Sequence, residues 1–185
     1  MKSPGIRVAS GAMKGRKLEV PPGIRPTEQK VREALFSIWG ERLAGATLLD
    51  LFAGSGAVAI EAISRGALST TLVESNRSVV AALERNVAPL PRGSYRLLAL
   101  PAERALAELA RQAARFDLVF ADPPYSWVPD AGFLAACSLL LRSGGVLTIE
   151  HSARSALPAS AGDLVRTDSR WYGESALAFY GKTEF

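Results

Sequence analysis

The 185-residue chain is short of the residues on which several common chemistries depend. It has one cysteine, Cys137, which excludes an internal disulfide and any cysteine-based zinc cluster. It has one histidine, His151, and no His/Cys/Asp/Glu spacing of a metal-ligating kind, so no metal site is expected. Both residues are read as structural. No apolar run approaches the roughly 18 residues of a membrane span; the longest, FLAACSLLL, reads as a buried helix. The start, MKSPGIRVAS, has no apolar segment behind its charge, so no signal peptide is expected. Repeats, low-complexity tracts and linkers are missing. A cytoplasmic protein without membrane partners is the expectation, and nothing demands more than a monomer.

Hydrophobic residues make up 48% of the chain, enough for a real core in one domain. The net charge of +4 is unevenly spread. Residues 1–40 carry eight basic and three acidic side chains, so the excess lies wholly in the N-terminal segment. A local basic patch on an otherwise neutral domain suits a polyanionic partner.

That segment, RVASGAMKGRKLEV, has β-like pieces around Gly11 and Gly15 and predicts a hairpin, the only separable part of the chain (residues 1–25, with 26–185 as the main domain). PPGIRPTEQKVREALFSIWG then predicts a helix capped by Thr27 and ended by Gly40, with Val31, Ala34, Leu35 and Ile38 on its buried face. From residue 47 near-continuous apolar strands alternate with helices: TLLDLF, STTLVE, YRLLAL, FDLVFA and GVLTIE are strands, and a helix spans 129–142. This is the pattern of a parallel sheet covered on both faces. LVRTDSRWYG and SALAFYG add an antiparallel edge pair, in which Trp171 and Tyr172 are read as packing residues.

LLDLFAGSGAVAIEA is the turn from the first of these strands into its helix. Gly54 and Gly56, flanking Ser55, let backbone pass close to a ligand. Glu74 ends the next strand, where an acid can accept bonds from both hydroxyls of an adenosine ribose. GSGAVA also fits a dinucleotide fingerprint, so the loop alone leaves NAD and S-adenosylmethionine open. Asp50, just before the loop, tilts the choice: a carboxylate there suits the ammonium of a methionine moiety and would repel a pyrophosphate. Phe52 belongs to the same cofactor turn.

The fourth strand ends in Asp122-Pro123-Pro124-Tyr125, bordering the same crevice. An exocyclic amine is planar because its lone pair is delocalised into the ring. The Asp122 carboxylate and the Pro123 carbonyl can hold its two N–H groups and turn that lone pair toward an electrophile. The prolines fix where these oxygens point, so orientation rather than a strong base lowers the barrier. Tyr125 offers a face for a base taken out of its stack. Trp127 stands close enough in sequence to line that pocket.

DLFAGSG, Glu74 and DPPY together resemble the class I S-adenosylmethionine-dependent amino-methyltransferases. RVASGAMKGRKLEVPPGIRPTEQKVREALFSIW resembles the N-terminus of the bacterial 16S ribosomal RNA (guanine-N2)-methyltransferase family, RsmD, and the likeness continues through GGVLTIEHS and WYGESALAFYG. The resemblance implies a Rossmann-like α/β fold: a mostly parallel seven-stranded sheet, helices on both faces, an antiparallel C-terminal edge and an N-terminal hairpin extension. It implies methylation of one guanine N2 in 16S rRNA of the small subunit or its assembly intermediate. It places Asp50, Gly54, Ser55 and Gly56 along the methionine side, Glu74 on the ribose and the Ala102 N–H on adenine. Pro101 stands where many relatives carry Asp or Asn, so no side chain from that position reaches the adenine amine. Arg7, Lys14, Arg16, Lys17 and Arg25 would grip RNA phosphates, and Arg32 and Glu33, first-turn residues, would either lie near the crevice or form only local pairs.

Three other readings compete. An adenine-N6 methyltransferase shares the chemistry but usually carries an added target-recognition domain. An NAD-binding oxidoreductase leaves DPPY and the basic hairpin idle. A non-catalytic RNA-binding assembly factor leaves the intact loop and DPPY unexplained.

Overall fold

The structure is a computed structural model that describes residues 5–21 and 27–183; Arg25 lies outside the described residues. Its main body is one open sheet of eight strands. Four parallel strands alternate with helices: β3 (Thr47–Leu51), β4 (Ser69–Val73), β5 (Tyr95–Leu98) and β6 (Phe116–Ala121). A fifth, β7 (Leu141–Ser152), runs parallel to β6; β10 (Ser175–Lys182) and β9 (Leu164–Tyr172) follow antiparallel. These are the seven expected strands. An eighth of two residues, β8 (Ser160–Ala161), lengthens the antiparallel edge. The spatial order is β5-β4-β3-β6-β7-β10-β9-β8, so the strand order reverses between β3 and β6. Open α/β sheets bind ligands outside the carboxyl ends of strands at such a switch point.

Side chains alternate across the pleat with period two, and the sequence of β3 shows the consequence. Leu49 and Leu51 face helices α4 (Ala102–Arg111) and α5 (Ala131–Leu140). Leu48 faces α1 (Gln29–Trp39) and α2 (Ala57–Ser64), and Asp50 shares its face of the strand. The helix expected over 129–142 is shorter because Asp130 caps it, accepting from the Phe133 N–H at 2.8 Å, and because Leu141 already belongs to β7.

Helix α1 buries Val31, Leu35, Phe36 and Trp39, and Ile38, expected inside, is 39% exposed. The Trp39 ring takes that seam: it packs edge-on to Phe36 and Phe120, and its Nε1 donates to Thr148 Oγ1 at 3.1 Å. Gly40, at φ +50°, ends the helix as expected, and a 3-10 turn over Gly40–Leu43 then buries Leu43. Thr27 does not cap α1. Glu28 holds the cap position with no side-chain cap bond, and the Thr27 hydroxyl is engaged elsewhere.

The N-terminal segment forms a separate two-stranded antiparallel sheet, β1 (Ile6–Arg7) and β2 (Lys17–Leu18). It is docked on the main body: Ile6, Val8 and Leu18 share an apolar cluster with Ile60 of α2 and with Leu83 and Val87 of α3 (Arg77–Val87). Burying such side chains contributes about 1.5–3 kcal/mol each, enough to hold a hairpin that would be marginal alone. Trp171, expected to pack on the edge, is instead 66% exposed, whereas Tyr172 is half-buried against the α1 side. Among the described residues, no helix is long and apolar enough to cross a membrane.

Candidate active site

A cavity of about 580 Å³ opens at the carboxyl edge of the sheet, over the ends of β3, β4, β6 and β7. The glycine turn forms one wall. Gly54 and Gly56 take φ of +55° and +78°, and a Cβ on Gly56 would lie 2.5 Å from Leu83 Cδ1. A side chain there would therefore meet both backbone strain and a clash. Phe52 also has positive φ, +62°, which costs a non-glycine residue about 1–3 kcal/mol. Its ring is held by Trp127 and Phe133, with centroids 5.7 and 6.4 Å away. Trp127 thus supports the turn from behind and does not line the main cavity.

Glu74 bridges the turn to the next helix. Its carboxylate accepts from the Gly54 N–H at 3.1 Å and the Asn76 N–H at 2.9 Å. Those two bonds fix its orientation and leave lone pairs for further donors, since an ionised carboxylate has about four acceptor sites. Asn86 of α3 secures the turn from the other side, donating to the Ser55 carbonyl and the Glu19 carbonyl at 2.9 Å each. It also accepts the Glu19 N–H, so one side chain joins the cofactor turn to the end of the hairpin.

Asp50 is 1% exposed on the cavity floor. It accepts from the Ala59 N–H in the first turn of α2, but its Oδ2 has no hydrogen-bond partner. Burial, reinforced by the charges of Asp122 and Glu74, pushes its carboxyl up to about 8 from an ordinary 3.8.

The opposite wall carries Asp122, buried Pro123, Pro124 and Tyr125. The Asp122 N–H reaches toward the Leu51 carbonyl at 3.4 Å, continuing the β3–β6 ladder by one residue. Thr27 Oγ1 donates to Asp122 Oδ2 at 3.0 Å. Tyr125 is 38% exposed, and its hydroxyl is hydrogen-bonded to Ser175 Oγ at the start of β10, which fixes the ring at the cavity mouth.

Sequence reasoning missed several contributors to the cavity, Thr27, Glu28, Asn76, Glu150 and Ser175 among them. Glu150 had a readable signal. It stands near the end of an apolar strand, as Glu74 and Asp122 do, and acids at strand ends on one sheet edge converge. Thr27 had none, because its partner is 95 residues away. With Glu28, Asp50, Glu74, Asp122 and Glu150, five carboxyl side chains line the cavity, and no Lys or Arg does among its described residues. Such a lining repels a pyrophosphate and suits a cationic ligand.

Ala102 opens α4 and is 4% exposed, but it does not line the cavity. Arg32, expected near the crevice, is buried at 2% exposure and is a structural hub. It is ion-paired with Glu61 of α2 at 3.4 Å, and its guanidinium donates to the carbonyls of Thr27 (3.2 Å) and Arg7 (3.0 Å). Glu33 pairs locally with Gln29. In the hairpin, Arg7 donates to the Gly15 carbonyl at 2.8 Å, and Arg16 donates to the Asn86 carbonyl. Lys14 and Lys17 are exposed. His151 is buried outside the main cavity, its Nδ1 2.9 Å from the Ser152 carbonyl, and burial lowers its pKa. No group of metal-ligating side chains occurs among the described residues.

An open sheet with a glycine turn, an acid at the end of the second parallel strand and Asp-Pro-Pro-Tyr at the end of the fourth defines a methyltransferase-type fold and site. Likeness to known proteins narrows the class. The family model described as Conserved hypothetical protein 95 matches residues 6–181. The chain is 40% identical over 147 residues to Ribosomal RNA small subunit methyltransferase D of Escherichia coli (strain K12), covering 78% of this chain and 71% of that protein. A hypothetical protein of Thermus thermophilus superposes with a TM-score of 0.82 at 35% identity, over 94% of this chain and 98% of that one. The chain belongs to this family, the RsmD-type ribosomal RNA methyltransferases that its sequence resembles.

Proposed function

We propose that the protein methylates the exocyclic N2 amine of one guanine in 16S rRNA of the small ribosomal subunit or its assembly intermediate, using S-adenosylmethionine, in the cytoplasm. The observation that carries the cofactor assignment is the lining: five carboxyl groups, one of them with an unpartnered buried oxygen, beside a turn whose glycine a Cβ would fill. S-adenosylmethionine is cationic at its ammonium and sulfonium and supplies an electrophilic methyl group when bound. The NAD alternative would account for the glycine turn and Glu74 but would set a pyrophosphate beside Asp50 and leave Asp-Pro-Pro-Tyr and the basic hairpin without a task.

The chain's own residues then divide the work. Asp50 Oδ2 receives the ammonium at the floor. Glu74, oriented by the Gly54 and Asn76 amides, receives the ribose hydroxyls. Phe52, Gly54, Ser55 and Gly56 shape the turn between them; Ala102, which lies outside the cavity, is given no contact with adenine. On the target side, Asp122 and the Pro123 carbonyl accept from the two N–H groups of the guanine amine and turn its lone pair toward the methyl group. The proline pair fixes the backbone, and Tyr125, tethered by Ser175, presents its face to the base. As the nitrogen–methyl bond forms, the methyl–sulfur bond would break and S-adenosylhomocysteine would leave; the methylated nitrogen, then acidic, would lose its proton to Asp122 or water. Lys14 and Lys17 grip phosphates, with Arg7 beside them; Arg16 combines that task with its anchor on α3.

The test supplies isotopically labelled S-adenosylmethionine and small subunits lacking the modification, then locates the product by mass spectrometry. Label in N2-methylguanosine at one site is expected. Label in N6-methyladenosine, or tight NAD binding without S-adenosylmethionine binding, overturns the assignment.

A further inference from the structure

Resting on the methyl-transfer reading above, we propose that Thr27 is a positioning residue for Asp122, and that Arg32 locks it to the RNA-gripping hairpin, so that the substrate grip and the amine acceptor form one rigid unit. The sequence reading has the prolines fix both acceptor oxygens; they set the backbone of the Asp-Pro-Pro-Tyr turn, and with it the Pro123 carbonyl, but not the rotation of the Asp122 carboxylate about its own bond. Thr27 adds a hold on that rotation. Its hydroxyl donates to Asp122 Oδ2 at 3.0 Å from inside the cavity and so fixes the place of that oxygen.

Thr27 must itself be held, because it precedes α1 and belongs to no regular element. Arg32 supplies the hold one turn into α1, with one guanidinium nitrogen on the Thr27 carbonyl and another on the Arg7 carbonyl of β1. Its Nε faces Glu61, whose other oxygen is taken by Arg65 at 2.6 Å. The pair is almost wholly buried, so removing one partner would leave an uncompensated charge, and the arrangement resists loosening. A displacement of the hairpin strand is thereby transmitted through Arg32 and Thr27 to the acceptor carboxylate.

The experiment compares Thr27→Val, which keeps the shape and removes the hydroxyl, with Thr27→Ser, which keeps the hydroxyl. Single-turnover transfer to modification-free small subunits, the KM for those subunits and cofactor affinity by calorimetry are measured for each. Thr27→Val is expected to slow single-turnover transfer roughly 10- to 100-fold, the scale on which misplacing a reacting group acts, with KM and cofactor affinity within about twofold. Thr27→Ser is expected within about threefold of wild type. Thermal melts check that both variants fold. Wild-type transfer by Thr27→Val, equal loss in both variants, or a loss confined to KM overturns the proposal. If the labelled amine proves not to be guanine N2, the functional reading fails, while the Val/Ser comparison still reports on Thr27 at whichever amine is methylated.

Discussion

The two walls of the cavity are built differently. The wall proposed for the cofactor is local: Asp50, Phe52, Gly54, Ser55 and Gly56 fall within seven consecutive residues, and Glu74 ends the adjacent parallel strand. The wall proposed for the target is assembled from four segments: Thr27 before α1, Asp122–Tyr125 after β6, Glu150 in β7 and Ser175 in β10. A turn that must cradle one unchanging small molecule can be specified by backbone geometry. In the proposed reading, a pocket for one base of a large RNA is put together from segments far apart in the chain. The hairpin is tied to both walls, through Asn86 to the glycine turn and through Arg32 to Thr27.

The contrast predicts that the two walls fail independently. Asp122→Ala is expected to give the largest loss, turnover falling roughly 10³-fold or more with cofactor affinity nearly intact; parallel rate and calorimetric measurements check it. Wild-type-like turnover would remove Asp122 from the chemistry. Gly56→Ala should do the reverse, damaging binding first. The residue sits at φ +78° and its new methyl would press on Leu83, so a stability loss of about 1–3 kcal/mol and a fall in cofactor affinity are expected by melting and titration.

Asp50 gives a subtler reading of the cofactor wall. With its carboxyl held near 8 against an ordinary 3.8, it is protonated at pH 7 in the folded chain and ionised after unfolding. Its contribution to stability is complete below about pH 4 and is lost as pH rises toward 8. A cationic ligand at Oδ2 favours the ionised form, so binding at pH 7 should release about one proton, measurable as a dependence of calorimetric enthalpy on buffer. Asp50→Asn should release none and bind roughly tenfold more weakly. The smallest effect is expected at the hairpin. Replacing Lys14 and Lys17 with Gln should weaken RNA binding and lower the salt slope by about 0.7 for each single-stranded phosphate that is no longer neutralised. An unchanged slope would make those lysines solubility devices.

The sheet was legible because parallel strands buried on both faces read as apolar runs, and the helices between them carry a different period. Ile38 and Trp39 show the limit of that reading: both are apolar and adjacent, and only the fit of the indole between Phe36 and Phe120 decides which is inside. Thr27 had the local features of a cap, yet its hydroxyl found a carboxylate far along the chain. Arg16 and Arg32 looked like members of one basic patch. Arg16 is anchored to α3 and Arg32 is a buried strut, because a guanidinium near an unsatisfied carbonyl has a partner that charge counting does not reveal.

By itself the sequence determined the strand–helix alternation, the glycine turn, the acid closing β4 and the double-proline turn after β6. All of these depend on residue type and short-range spacing, which steric and hydrogen-bonding rules fix locally. Tertiary structure alone decided that Asp50 is dry enough to keep its proton, that Thr27 aims Asp122 and that Arg32 joins them to the hairpin. Burial and contact across tens of residues are properties of how the layers close, and no local pattern encodes them.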